Sequence, residues 1–214
     1  MARGRFISFE GSEGSGKSTQ IGLLARRVEE TGAGLTVTRE PGGTMLGEEI
    51  RRLLQFTPGL ENMSAEAELL LFAASRAQLV REVIAPALER GTHVAADRFL
   101  DSTTVYQGVA RGLGVEEVDR INGFALGGCR PDLTVLLDMD SALAHARAVA
   151  ATAGEGREDR MEKEPAEFFE KVRQGYLEVA EREPGRFLVV DAGEPPEEIG
   201  LVIWKAWKEG FDSV

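Results

Sequence analysis

The sequence is poor in the residues that staple or metallate a fold. Its 214 residues contain one cysteine, Cys129, and two histidines, His93 and His145. A single thiol excludes an intrachain disulfide and fits a reducing compartment, and so few His and Cys make a zinc site of the usual ligands improbable. Long apolar runs are also missing. The longest, Leu69–Ala74, is six residues, against the ~20 needed to span a bilayer. The first residues reach Glu10 before any signal-like apolar region develops, so the expectation is a cytoplasmic protein that does not insert in membranes. Positive charge is scarce: 25 Lys and Arg stand against 36 Asp and Glu, for a net charge of −11. That balance disfavours a reader of nucleic-acid polymers or a binder of anionic membranes. It leaves room for a small phosphate ligand, because a few basic groups can converge in one cleft.

What is present is ordinary globular composition, 43% hydrophobic and 29% charged. Short apolar runs alternate with helical periodicities, which predicts an α/β fold with a five-stranded parallel sheet flanked by helices on both faces, in a single domain over residues 1–214. The expected strands are Arg5–Glu10, Leu35–Arg39, Thr92–Asp97, Leu133–Asp138 and Phe187–Asp191. Ile21, Leu24, Ala25 and Val28 fall at i, i+3, i+4, i+7 and mark one buried helical face. A second long helix is predicted from Ser64 to Arg90, ending at Gly91, with Pro86 placed to kink it. Trp204 and Trp207, i and i+3 on an amphipathic C-terminal helix, read as packing residues. Thr152–Glu164 is charged and aperiodic; composition alone reads it as a solvated loop.

The strongest local signal is Gly11-Ser12-Glu13-Gly14-Ser15-Gly16-Lys17-Ser18, followed by Thr19. It matches G-x-x-x-x-G-K-[ST], and it has the required context of a strand before and a helix after. The glycines let the backbone wrap phosphates, and its N–H groups meet the positive end of a helix dipole. Lys17 can reach the β- and γ-phosphates and Ser18 can place its hydroxyl on Mg²⁺. Glu13 is odd in such a loop, since phosphate repels it: it is either solvated or an acceptor for a hydroxyl of the second substrate. A P-loop NTPase fold does not fix a reaction. Neither asparagine, Asn62 or Asn122, begins N-K-x-D, and no L-S-G-G-Q stretch exists; guanine switches and transport ATPases are therefore disfavoured. Small-molecule kinases and P-loop ligases remain.

A second substrate site is traceable. Phe72 and Arg76, i and i+4 on the long helix, share a face on which a base can stack and bond. Asp97 closes a strand as a candidate Mg²⁺ group, with Arg98 beside it. Arg39 ends the second strand, and Asp101–Gly108 is a polar stretch with one aromatic. Three arginines at these places exceed what a phosphate donor needs and fit a nucleoside-monophosphate kinase.

In order, FEGSEGSGKST (9–19), TREPGGT (38–44), LLFAASRAQLV (70–80), DRFLDSTTVYQG (97–108), RPDLTVLLD (130–138) and DRME (159–162) resemble the thymidylate kinase family over nearly the whole chain. The resemblance implies transfer of the γ-phosphoryl of ATP to dTMP, with Mg²⁺, by a homodimer. It implies that Gly11–Thr19 and Arg147 bind ATP, and that Ser18 and Asp97 serve the metal. It implies dTMP contacts from Glu13 (the 3′-hydroxyl), Arg39 and Arg98 (the phosphate), Phe72 and Arg76 (stacking and O4), Ser102, Thr103 and Gln107, with Tyr106 crowding the 2′ position. Thr152–Glu164 becomes a small lid. Some members carry a catalytic arginine inside the P-loop; here that position is Gly14. Mostly bacterial members supply it from the lid, which makes Arg157 and Arg160 the candidates beside Lys17 and Arg98, with Glu162 a further lid carboxylate. Another nucleotide kinase on the same scaffold, or a non-catalytic P-loop module, are the alternatives; a panel of monophosphates and Lys17→Ala tell them apart.

Overall fold

The computed structural model describes residues 3–152 and 160–210. Five strands form one parallel sheet in the order β2-β3-β1-β4-β5: β1 (Phe6–Glu10), β2 (Leu35–Arg39), β3 (His93–Asp97), β4 (Leu133–Asp138) and β5 (Phe187–Asp191). These are the expected strands, two of them shorter by one residue at the start. β1 is central, with Ile7 opposite both Ala95 and Leu133. A strand covered on both faces must be apolar on both, and all five residues of FISFE are buried.

Helices α1 (Lys17–Glu30) and α9 (Pro196–Glu209) cover one face. Ile21, Leu24 and Val28 pack there with Ile7, Phe9, Val135 and Trp207, and Trp204 leans against the same cluster. On the other face α3 (Ala65–Leu79) runs through a π-helical segment, Val80–Ile84, into α4 (Ala85–Glu89). The wide turn has a cause. Pro86 has no N–H to donate and its ring crowds the carbonyl four residues back, so the backbone loosens before it and Ala85 N bonds Val80 O, five residues back. The predicted long helix is therefore three joined pieces. α2 (Met45–Gln55) precedes it; α5 (Leu100–Thr103), a second π-helical segment (Thr104–Ala110) and α6 (Val115–Leu126) follow β3. α7 (Ser141–Thr152), a 3₁₀ turn (Arg160–Lys163) and α8 (Ala166–Arg182) follow β4. The expected lid falls on α7's end and this turn; its residues 153–159, Arg157 among them, lie outside the described residues. Among the described residues no helix is long and apolar enough to cross a membrane.

Candidate active site

Parallel strands deliver their carboxyl ends to one edge, and that edge holds Glu10, Arg39 and Asp97 in adjacent register. Between β1 and α1 lies the phosphate loop. Helices α2 and α3 have their first N–H groups capped by Thr44 and Ser64 side chains, whereas α1 begins at Gly16 (φ 93°) with no side-chain cap and no acid in its first turn. Its N–H groups and dipole are left to an anion. Lys17 Nζ folds over the loop, donating to Gly11 O (3.1 Å) and Ser12 O (2.8 Å). Burial, and then the nearby Arg98, pull the Lys17 ammonium down to about 8. Above that pH the free protein loses the charge that attracts a triphosphate. The rate constant kcat/KM for the phosphate donor is therefore expected to fall on an alkaline limb near pH 8, while kcat, read with phosphates bound beside Lys17, bends at higher pH. Coincident limbs would refute this.

A cavity of about 490 Å³ opens in front of the loop. Glu13, Gly14, Gly16, Lys17, Ser18 and Thr19 line one part; Arg39, Phe72, Asp97, Arg98, Ser102, Thr103, Tyr106 and Gln107 line another, and Arg147 also faces it. Gly11, Ser12 and Ser15 form the loop's underside; Ser12 and Ser15 are buried. Arg39 is bidentate to Glu48 (2.8 Å to each oxygen). Arg98 has φ 66°, stacks its guanidinium 5.4 Å from the Tyr106 ring centre and faces Glu13 at 3.9 Å. Ser18 Oγ and Asp97 Oδ2 are 3.3 Å apart.

Arg76 stands behind this lining. It is 1% exposed. Its Nε and Nη2 are bidentate to Glu40 (2.5–3.1 Å), Nη1 donates to Asn122 Oδ1 (2.6 Å) and Nη2 to Thr103 Oγ1 (2.8 Å). Sharing a helix face with Phe72 did not bring it into the lining; it sits behind Glu40 and Thr103, two lining residues that accept its hydrogen bonds. Arg160 is also engaged: Nε donates to Leu54 O (3.0 Å) and Nη2 to Glu68. Glu68, 1% exposed, also accepts from Gln107 Nε2 (2.7 Å) and Arg111. Burial alone would raise its carboxyl, but these donors hold it below the usual range. Sequence reasoning missed Glu40, Glu68 and Arg111, and also Arg51, Gln55, Met161 and Phe169 of the lining. The i, i+4 spacing of Arg51 and Gln55 on α2 was the one available signal.

The thymidylate kinase family model matches residues 9–202. The chain belongs to the thymidylate kinase family. It is 48% identical to the thymidylate kinase of Deinococcus radiodurans over 209 residues, 98% of each chain. Against that of Syntrophotalea carbinolica the identity is 49% over 201 residues, 93% of each. Among solved structures, thymidylate kinase from Ehrlichia chaffeensis superposes with TM-score 0.76 at 32% identity, covering 96% of this chain and 99% of that one. The protein is thus an enzyme, an ATP-dependent phosphotransferase. Within this thymidylate kinase family the loop's Gly14 now has a physical reason. At φ 76°, a Cβ there would lie 2.3 Å from Ala144 O and 2.8 Å from Ala148 N of α7. The P-loop of this member has no room for an arginine at that position.

Proposed function

We propose that this protein transfers the γ-phosphoryl group of ATP to dTMP, giving dTDP and ADP, in the cytoplasmic synthesis of dTTP. One observation carries the reading: a single cavity is lined both by a phosphate loop with an uncapped helix behind it and by Arg39, Arg98 and Phe72. The first suits a triphosphate. The second suits a monophosphate with a flat base.

Phosphoryl transfer between two bound phosphates needs alignment and charge neutralisation rather than a covalent nucleophile. Gly11–Thr19 hold the ATP phosphates, with Arg147 towards the adenine. Lys17 follows the transferring group. Arg39 and Arg98 hold the dTMP phosphate, and Glu13 accepts from the 3′-hydroxyl, which gives its carboxylate a reason to stand beside phosphate. Phe72 stacks on thymine; Ser102, Thr103 and Gln107 border the nucleoside, and Tyr106 fills the 2′ side. Arg76 bonds thymine O4 through the second Nη1 hydrogen, which the bond to Asn122 leaves over, and also holds Thr103. No cluster of three or more His, Cys, Asp or Glu able to hold a metal occurs among the described residues. Ser18 and Asp97 are, however, two hard oxygen donors side by side, which fits Mg²⁺ completed by phosphate oxygens and water. Mg²⁺ there supplies charge neutralisation on the β- and γ-phosphates. The chain acts as one kinase domain with residues 152–164 as its lid. Of the two lid arginines, Arg160 anchors the lid on Glu68, and Arg157 is assigned to the phosphoryl group. As a homodimer it would use the exposed Leu70 and Phe124 (58% and 87% exposed) of the packed pair α3 and α6; Leu69 and Val80 are buried within the chain.

The test is a coupled ADP-release assay with ATP and Mg²⁺ across a panel of monophosphates. dTMP is expected to turn over far faster than dUMP, UMP or dGMP. Equal turnover of another monophosphate would remove the substrate assignment and leave the kinase.

A further inference from the structure

Arg98 is held by a buried set of groups, two of which, Glu10 and Tyr176, lie outside the phosphate loop and the acceptor residues. Its backbone is in the left-handed region, φ 66°, which a non-glycine residue adopts only where its surroundings hold it. Two bonds hold it there. Arg98 N donates to Phe9 O (2.9 Å), and the next amide, Phe99 N, donates to Glu10 Oε1 (2.8 Å). Glu10 is the last residue of β1 and fully buried. Its other oxygen, Oε2, accepts from Ser102 Oγ (2.6 Å) and from Tyr176 Oη (3.1 Å), and those two hydroxyls are 2.7 Å apart. Arg98 Nη1 then donates to both of them, at 3.3 Å each.

Burial, and then the neighbouring Asp101, push the Glu10 carboxyl up to about 7, and the proton arrangement is that of the ionised form above that pH. A carboxylate accepts only, and a guanidinium donates only. Ser102 Oγ turns its one hydrogen to Glu10 Oε2 at 2.6 Å, Tyr176 Oη shares its one hydrogen between Ser102 Oγ at 2.7 Å and Glu10 Oε2 at 3.1 Å, and both oxygens keep lone pairs for Arg98. Burial keeps the Tyr176 phenol well above its usual range, so it retains the hydrogen the arrangement needs. Around Glu10 stand Asp101, Arg98, Lys17, Ser102, Tyr106 and Tyr176; Asp101 is itself bidentate to Arg186 (2.7 Å). Tyr176 comes from α8, the helix after the lid segment, so the set joins that helix to the end of β1.

We propose that Glu10 and Tyr176 are positioning residues for Arg98: with Ser102 they fix both its backbone and its guanidinium where the phosphate of the acceptor monophosphate is to be bound. This rests on the reading of Arg98 as an acceptor-phosphate ligand. Neither Glu10 nor Tyr176 lines the cavity, so each acts only through Arg98 and Ser102.

A double-mutant cycle tests it. Tyr176→Phe removes one oxygen and keeps the ring. It is expected to lower kcat/KM for dTMP about tenfold, the size of one lost charge-assisted bond, and to change KM for ATP by less than about twofold. In an Arg98→Ala background the same change is expected to cost less than about twofold more, because the group it positions is gone. Glu10→Gln, whose amide donates to the hydroxyls and turns their hydrogens onto Arg98, is expected to behave alike. Should it fail to fold, Tyr176→Phe decides alone. An equal loss in both backgrounds, or an equal loss of ATP affinity, would mark a packing defect in α8 and overturn the proposal. The reading beneath it fails separately: Arg98→Ala with unchanged kcat/KM for dTMP would take Arg98 out of the acceptor site whatever Tyr176 does.

Discussion

Lys17→Ala is expected to lower kcat/KM with ATP by about 10³-fold or more while the protein stays folded. Both halves of that result follow from where the side chain is. Lys17 is 8% exposed and its ammonium bonds only loop carbonyls, Gly11 O and Ser12 O. Those bonds add about 1 kcal/mol at most to a resting fold, and removing a desolvated charge offsets part of their loss. In the transition state of phosphoryl transfer the same ammonium faces charge spread over the γ-phosphoryl oxygens in a site with little water. Arg98 is the closest other cation by its effect on Lys17, but it is tied to Ser102, Tyr176 and Glu13. Steady-state kinetics together with thermal denaturation check the prediction. A tenfold loss or less would mean that Lys17 is not at the transferring group.

Arg76→Ala is expected to have the opposite profile, a large loss of stability. The guanidinium is 1% exposed and Glu40 is 5% exposed. Burial already pushes the Glu40 carboxyl up to about 7 against the pull of Arg76, so removing the cation forces it to take up a proton or stand uncompensated, and strips Asn122 Oδ1 and Thr103 Oγ1 of a donor. Breaking a buried pair on one side in this way costs about 3–5 kcal/mol. Replacing both members, as in Glu40→Gln with Arg76→Met, is expected to cost less than Arg76→Ala alone, since neither charge is then stranded. Urea denaturation of the three proteins gives the order directly. If the double variant is the least stable, the pair's worth lies in its bonds to Asn122 and Thr103 rather than in its charges.

The parts of this molecule that were legible in the sequence are those fixed by near neighbours in the chain. The inner strands β1, β3 and β4 announce themselves as short apolar runs because both their faces are covered, whereas the edge strands β2 and β5 are only partly buried and are legible from their β-branched residues between turn signals. The phosphate loop is legible because its chemistry is local: strand, glycines, lysine and helix start are consecutive. The interruption of the long helix could be placed at Pro86 but not described, since whether the backbone kinks or widens depends on what packs around it. The buried polar partnerships were not legible at all. The ion pairs of Glu40 with Arg76 and Glu68 with Arg160, and the hydrogen bond of Tyr176 to Glu10, join residues that only tertiary structure brings together. The helix spacing of Phe72 and Arg76 gave their common face correctly, yet not how deeply each would lie.

The central place of β1 has a consequence for how the chain is made. Phe6 lies opposite Val94 and Ile7 opposite Leu133, so the strand that aims the phosphate loop leaves the ribosome before either of its neighbours and cannot be flanked on both sides until β4 has followed. At about 5–20 residues per second, β1 waits several seconds for β3 and longer for β4, with one edge of its backbone unpaired in between. Nascent chains that end before β4 should therefore be unable to hold nucleotide.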